Sequence, residues 1–168
     1  MQILVSRACG IDVHKDMLAV CVLVYREGAK EPEARYKEFA THQKALTALG
    51  NWLSSQKVTH VVMESTGVYW KPVWYALEGQ FQLLLANPFQ VKALPGKKTD
   101  KKDSHWLAEL LAHGLVQGRF VPPVETRVLR DLTRYRVKLN HALSSTVSPK
   151  WRRTSMVTLL AKIQFHGE

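Results

Sequence analysis

The sequence predicts an α/β fold: a mixed five-stranded sheet with flanking helices, followed by a C-terminal helical arm. Three observations carry this expectation. Three strand-like runs, at 8–13, 18–25 and 34–40, succeed one another with only turns between them. Apolar runs at 58–65 and 81–86 then alternate with segments of helical periodicity, as in a sheet with crossover connections. Beyond residue 125 an apolar stripe at helical spacing runs through a basic segment with no further strand.

Each element has a local reason. ACGIDV (8–13) reads as a buried strand ending near Asp12, and the β-branched content of LAVCVLVY (18–25) favours strand over helix. His14–Asp16 between them makes a tight hairpin. Gly28 and Pro32 mark a polar turn, and 34–40 alternates in character, so these three strands form an antiparallel meander. Thr41 can cap a helix over 42–55, with Leu46, Leu49 and Leu53 at helical spacing. Strand 58–65 carries Glu64 at its end, and Gly67 permits a sharp turn. A helix over 68–79 has Pro72 in its first turn and Gly79 past its end. Asn87-Pro88 closes strand 81–86, and 89–99 is a basic loop or short helix. A helix follows from Asp100 to about Leu115, with Leu107, Leu110 and Leu111 on its buried side. Pro122-Pro123 marks a boundary before a helix at about 125–143. The expected division is a domain at 1–120, the start of a coiled-coil-like arm at 121–145 and a divergent tail at 146–168. The order β-β-β-α-β-α-β-α matches the ribonuclease H-like topology, and sites in such sheets gather at the carboxyl ends of strands.

Composition bounds the function. The chain has 168 residues, enough for a domain with its own core, and a net charge of +10. Residues 1–91 carry 9 Lys/Arg against 8 Asp/Glu, whereas 92–168 carry 15 against 6. That asymmetry suggests a polyanionic partner, most often nucleic acid. The two cysteines, Cys9 and Cys21, lie in apolar runs without metal-ligand spacing, so they are read as reduced core residues of a cytoplasmic protein. No signal peptide and no membrane span are expected.

Against that basic background, four carboxylates stand where a divalent cation could use them. Asp12 and Glu64 end apolar strands, and Asp100 and Asp103 share one helix face at i,i+3. Each alone has an ordinary explanation: Asp12 as a turn residue, Asp100 and Asp103 as acids at a helix N-terminus. Glu64 is harder to dismiss, because it follows Val61, Val62 and Met63 and a buried carboxylate needs a partner. Together they suit Mg²⁺ or Mn²⁺, which prefer oxygen ligands and support phosphodiester chemistry. Lys97, Lys98, Lys101 and Lys102 surround the helical pair. Arg127, Arg130, Arg134, Arg136 and Lys138 flank the apolar stripe Val128, Leu132, Tyr135, Leu139 and Leu143. These cations could contact phosphates, and the stripe could serve self-association as a coiled-coil arm. Trp70, Trp74 and Tyr75 could stack on bases, with packing the expected role for at least one of them.

Four segments, GIDVHK, MESTGVYW, NPFQVKALPGKKTDKKDSHWLAELL and RVLRDLTRYRVKL, together resemble a bacterial transposase family over about residues 8–145. This is the DEDD transposase of the insertion-sequence one-ten type, with a RuvC-like domain of ribonuclease H fold. The resemblance implies that Asp12, Glu64, Asp100 and Asp103 are an acidic tetrad that binds Mg²⁺ and serves DNA strand cleavage and exchange. It also implies DNA and an element-encoded guide RNA as partners. Ser104 stands where the family commonly has Ala. In the family the arm leads to a second domain that supplies a Ser thought to attack DNA. Here the pattern is lost near Ser148-Pro149, so the chain is expected to be C-terminally truncated, without that domain. The alternatives are a stand-alone RuvC-like nuclease or resolvase and a catalytically incomplete nucleic-acid-binding remnant. An actin-like sugar kinase, whose fold also opens with GID on a hairpin, ranks last because His14-Lys15 replace its phosphate turn.

Overall fold

A computed structural model describes residues 2–29, 31–65, 67–87, 91 and 102–146. The chain divides into two compact units, residues 1–121 and 122–168.

The first unit holds the sheet. Strands β1 (Arg7–Val13) and β2 (Met17–Val24) form an antiparallel hairpin. Its turn is closed by the His14 amide donating to the Met17 carbonyl at 3.0 Å. Strand β3 (Glu33–Ala40) pairs antiparallel with β2, which completes the expected meander. Helix α1 (Gln43–Ser55) then crosses to β4 (His60–Ser65), which lies parallel to β1. Helix α2 (Trp70–Leu77) crosses to β5 (Gln82–Leu85), parallel to β4, and helix α3 (Lys102–Ala112) follows. The sheet order is β3-β2-β1-β4-β5, with only β2 running against the others. This is the ribonuclease H-like arrangement that the element order predicted.

Side-chain alternation gives the sheet two covered faces. Ile11, Val13, Val20, Val22, Val61 and Met63 point to one face. There they meet Leu46, Leu49 and Leu53 of α1 and Val73, Trp74 and Leu77 of α2. Ala8 and Val62 point to the other face and meet Leu107 and Leu111 of α3. Cys21 and Leu23 pack there against Ala108. Coverage on both sides explains why β1, β2 and β4 read as continuous apolar runs. Each fully buried leucine contributes roughly 1.5–3 kcal/mol of burial free energy.

The two faces are packed at different depths. At Gly10 of β1, a Cβ would lie 2.1 Å from the Ser104 carbonyl oxygen and 2.6 Å from the Ala108 amide nitrogen of α3. The helix backbone therefore rests directly on the strand, in space that only glycine leaves open.

Helix ends depart from the expected boundaries for local reasons. The N-cap of α1 is His42, whose Nδ1 accepts from the Ala45 amide at 3.2 Å. Thr41 is not the cap; its hydroxyl donates to the Lys15 carbonyl at 3.0 Å and ties the helix start to the β1–β2 turn. At the other end Lys57 takes φ +54, and the Val58 amide bonds the Leu53 carbonyl at 3.2 Å. That is a Schellman closure with a lysine in the left-handed position usually held by glycine. Helix α3 closes in the same way, with Gly114 at φ +69 and the Leu115 amide on the Leu110 carbonyl at 2.9 Å. Helix α2 is shorter than expected, because residues 67–69 form a turn before its first helical residue. Pro72 does fall in its first turn, where no intrahelical donor is required. The segment expected as a basic loop, 89–99, lies outside the described residues except for Val91, as does the expected helix start at Asp100. The tail is described only as far as residue 146.

Cys9 and Cys21 are buried free thiols on opposite faces of the sheet, since Cys9 pairs with Val22 and Cys21 with Gly10. Burial pushes the Cys21 thiol up to about 12 from its ordinary 9.0, against a lowering contact from Tyr36. Burial first, then the neighbouring Cys21, raises Cys9 as well.

The second unit is described as helix α4 (Val124–Thr146). Its apolar stripe is uncovered: Val128, Leu132, Tyr135, Leu139 and Leu143 are 46–65% exposed. Arg130, Arg134 and Lys138 recur at i,i+4 along the flank of that stripe.

Two glycine substitutions should therefore differ in sign. Gly10→Ala forces α3 off the sheet and should cost about 1–3 kcal/mol or more in urea unfolding. Gly50→Ala in α1 meets only ordinary contacts, at 3.6 Å from Gln80 and 3.7 Å from Leu77. Removing a helix-interior glycine there should be neutral or stabilising by about 0.5–1 kcal/mol. Equal losses for the two would refute the close-packing account.

The thiols set a pH window. A thiol pKa raised by folding favours the neutral form. Its contribution to stability is fully present below about pH 9 and is lost as pH rises through about 12. Tyr25 and Tyr36, also raised mainly by burial, act in the same sense. The urea midpoint should fall across that range, and less steeply in Cys21→Ala; identical slopes would contradict the assignment.

Candidate active site

Strand register assembles the site from distant parts of the chain. Asp12 pairs with Ala19 on one side and with Glu64 on the other, and Ala19 pairs with Glu38. Residues directly opposite in neighbouring strands share a face. Glu38, Ala19, Asp12 and Glu64 thus form one row across β3, β2, β1 and β4. The next row on the same face is Tyr36, Cys21, Gly10 and Val62, two residues away along each strand. Helix α3 rests on that second row through Gly10. The acidic row is therefore the next one beyond the N-terminal end of the helix.

Asp103 sits in the first turn of α3, beside the Ser104 carbonyl that lies over Gly10. Asp12 and Asp103 line one cleft of about 380 Å³, together with His14, Tyr36, Glu38 and Ser104. His14 Nε2 lies 3.0 Å from Asp12 Oδ2, and its imidazole is 59% exposed against 20% for the carboxylate. An imidazole N–H donating to Oδ2 orients the carboxylate at the cleft mouth. Ser104 is 2% exposed, so the small side chain at this position is enclosed between helix and cleft.

The four expected carboxylates fare differently. Asp12 and Asp103 are brought together. Glu64 stands beside Asp12 in the row, on the same face and half-buried, but is not part of the cleft lining. Asp100 lies outside the described residues. Among the described residues, no three His, Cys, Asp or Glu side chains are grouped as a self-sufficient cation site. The donor chemistry nevertheless fits a divalent cation. Mg²⁺ is commonly held by one or two carboxylates, with waters and substrate phosphates completing its shell.

The expected cations separate as well. Lys97, Lys98 and Lys101, and the side chain of Lys102, lie outside the described residues. Arg130, Arg134, Arg136 and Lys138 are exposed on α4. Arg127 is buried, at 7% exposure, so its charge is not presented to solvent as the periodicity suggested. Of the three candidate stacking aromatics, Trp74 is core. It is 8% exposed and donates from Nε1 to Glu78 Oε1 at 3.2 Å. Trp70 packs edge-on against it at 5.8 Å.

Among the cleft residues that the sequence pattern does not mark are Glu38 and Tyr36. Their two-residue spacing placed them on one face of a strand. Which face, and opposite which residue, depends on the β2–β3 register.

Among curated proteins no relative is matched. Two of the solved structures that resemble the chain are complexes with Holliday junctions. One is T. thermophilus RuvC in complex with a Holliday junction substrate, at TM-score 0.45 and 13% identity, covering 66% of this chain and 98% of that one. The other is the Fowlpox virus resolvase with Holliday junction DNA, at TM-score 0.46 and 11% identity, covering 64% and 99%. No helix among the described residues is long and apolar enough to cross a membrane. The family model described as transposase, of the DEDD IS110 type, matches residues 9–149. That match spans every described strand and helix after the first residues of β1, and this chain belongs to the IS110-type DEDD transposase family.

Proposed function

We propose that residues 1–120 act as the RuvC-like domain of a transposase that cleaves and exchanges DNA strands with a divalent cation, Mg²⁺ or Mn²⁺. The observation that carries this reading is the shared cleft of Asp12 and Asp103, with Glu64 in register beside Asp12. On this reading Asp12, Glu64, Asp100 and Asp103 hold the cation. When bound, such a cation supplies Lewis-acid stabilisation of the charge that develops on a phosphodiester during displacement. The chain's own contribution is placement. The sheet fixes Asp12 with Glu64 in register beside it, α3 brings Asp103 to the cleft that Asp12 lines, and His14 orients Asp12.

The partner is DNA. Lys97, Lys98, Lys101 and Lys102 lie close to the catalytic acids in sequence, and Arg130, Arg134, Arg136 and Lys138 extend along α4. These cations would neutralise phosphates without reading sequence. A guide RNA encoded by the element would meet the same charges. The arm beginning at 121–145 would pair its apolar stripe with a second copy of the helix, which removes some 46–65% exposed side chains from water.

Millimolar Mg²⁺ or Mn²⁺ should raise the melting temperature. An ion at ten times its Kd adds about 1.4 kcal/mol, or about 5 °C for a domain of this size. Asp12→Asn and Asp103→Asn should each abolish the rise. A melting temperature indifferent to both ions would sink the metal reading.

Affinity for DNA should fall steeply with salt, with a log–log slope near −0.9 per phosphate neutralised. Reversing Arg130 and Arg134 to glutamate should weaken binding to unrelated sequences alike and flatten the slope by about 2. Binding that ignores ionic strength would argue against this interface.

A further inference from the structure

The acidic cleft holds one feature that carboxylate chemistry does not use: an aromatic ring at its mouth. Tyr36 lines the cleft with Asp12 and Asp103 and is 53% exposed. An exposed tyrosine alone is ordinary. This one is braced. Its ring lies 6.0 Å from that of His105, at 20° from parallel. Its hydroxyl is 2.7 Å from His105 Nδ1. His105 belongs to α3, two residues after Asp103, so the helix that carries the acid also fixes the ring. Stack and hydrogen bond together hold one orientation while about half the side chain stays open to solvent.

The placement suits a nucleic-acid strand. Tyr36 is on β3, two strands from Asp12, and strands lie about 4.8 Å apart. The ring is therefore about 10 Å from the Asp12 strand, roughly three stacked nucleotides at 3.4 Å each. The other exposed aromatics among the described residues of the first unit stand elsewhere: Tyr69 and Tyr75 flank or lie on α2, which covers the opposite face, and Phe120 follows Gly118, which bridges Ala86 beyond β5 at the far edge of the sheet from β3. Tyr36 is thus the exposed aromatic that lines the cleft with Asp12 and Asp103.

We propose that Tyr36, braced by His105, is a nucleobase-stacking platform that anchors a single-stranded stretch of DNA within about three nucleotides of the phosphodiester at the acidic row. This rests on the reading of the cleft as a phosphodiester site. Stacking on a ring tolerates any base, because every base has a π-face, so the subsite positions the strand without selecting sequence. A ring already fixed loses little freedom on binding. Tyr36 would touch substrate, and His105 acts through it as a positioning residue.

The test uses the full chain with short single-stranded oligonucleotides carrying 2-aminopurine at one position, scanned along the strand in millimolar Mg²⁺. Wild type should quench fluorescence at one or two adjacent positions. Tyr36→Phe, which keeps the ring and loses the hydroxyl contact, should keep the quenching. Tyr36→Ala and Tyr36→Thr should lose it and bind about tenfold more weakly. Thr preserves strand propensity, so a melting curve like that of wild type separates ring loss from unfolding. A Tyr36→Thr chain that melts normally, binds undiminished and quenches at the same positions overturns the platform alone. Quenching that depends on Tyr36 while melting ignores Mg²⁺ and Mn²⁺ would keep the platform and overturn the metal reading. A wild-type chain that binds no oligonucleotide overturns both.

Discussion

Helix α3 can lie against β1 only because residue 10 has no side chain. The Ser104 carbonyl and the Ala108 amide occupy the volume a Cβ would need. Backbone atoms cannot rotate aside, so the contact sets the height and the axial position of α3. Cys21 and Ala108, packed together on the same face, are small enough to extend that approach toward β2. Leu107 and Leu111 then fill the space toward β4 beside Ala8 and Val62. On the opposite face, α1 and α2 stand off on leucine, valine and tryptophan side chains. One glycine thus distinguishes a helix seated on the strand from helices held away by their cores.

The acidic row inherits its position from that seat. Asp12 follows Gly10 by two residues on the same face, and Asp103 precedes Ser104 by one. Fixing Ser104 over Gly10 brings Asp103 to the cleft that Asp12 lines. Ala19, between Asp12 and Glu38, leaves the floor of the row open. Carboxylates gathered in this way repel one another, and among the described residues they lie just past the first turn of α3. A helix N-terminus offsets part of that repulsion, since the peptide dipoles favour a negative charge in the first turn. Asp103 therefore has a structural reason to be acidic beside the chemical role proposed for it. The lysines that follow the chain into α3 surround the acids in sequence, as the proposed anionic substrate would require.

The second unit obeys different physics. Helix α4 has charge on one flank and an uncovered apolar stripe on another. Local propensity and tertiary burial separate here. The apolar repeat Val128, Leu132, Tyr135 and Leu139 specifies a helix and a seam, while the described chain supplies nothing to cover it.

The sequence by itself determined the order and type of the elements in the first unit, because periodicity is a local property. Residues 18–25 could only be a strand between covered faces, and Leu107, Leu110 and Leu111 could only mark one helix face. It also determined that Asp12 and Glu64 end strands, and family resemblance joined them to Asp103. Tertiary structure decided what stands beside what. Whether Glu38 and Tyr36 face the acids depends on the β2–β3 register, which an eight-residue connection at 25–32 leaves undetermined from sequence, since a slip of one residue turns every side chain to the other face. Whether Arg127 meets solvent and whether Trp74 is core depend on packing, which helical spacing does not encode. His42 displaces Thr41 as the cap of α1 because Thr41 is held by the Lys15 carbonyl, a partner 26 residues away. In each case local chemistry listed the possible contacts, and long-range geometry chose among them.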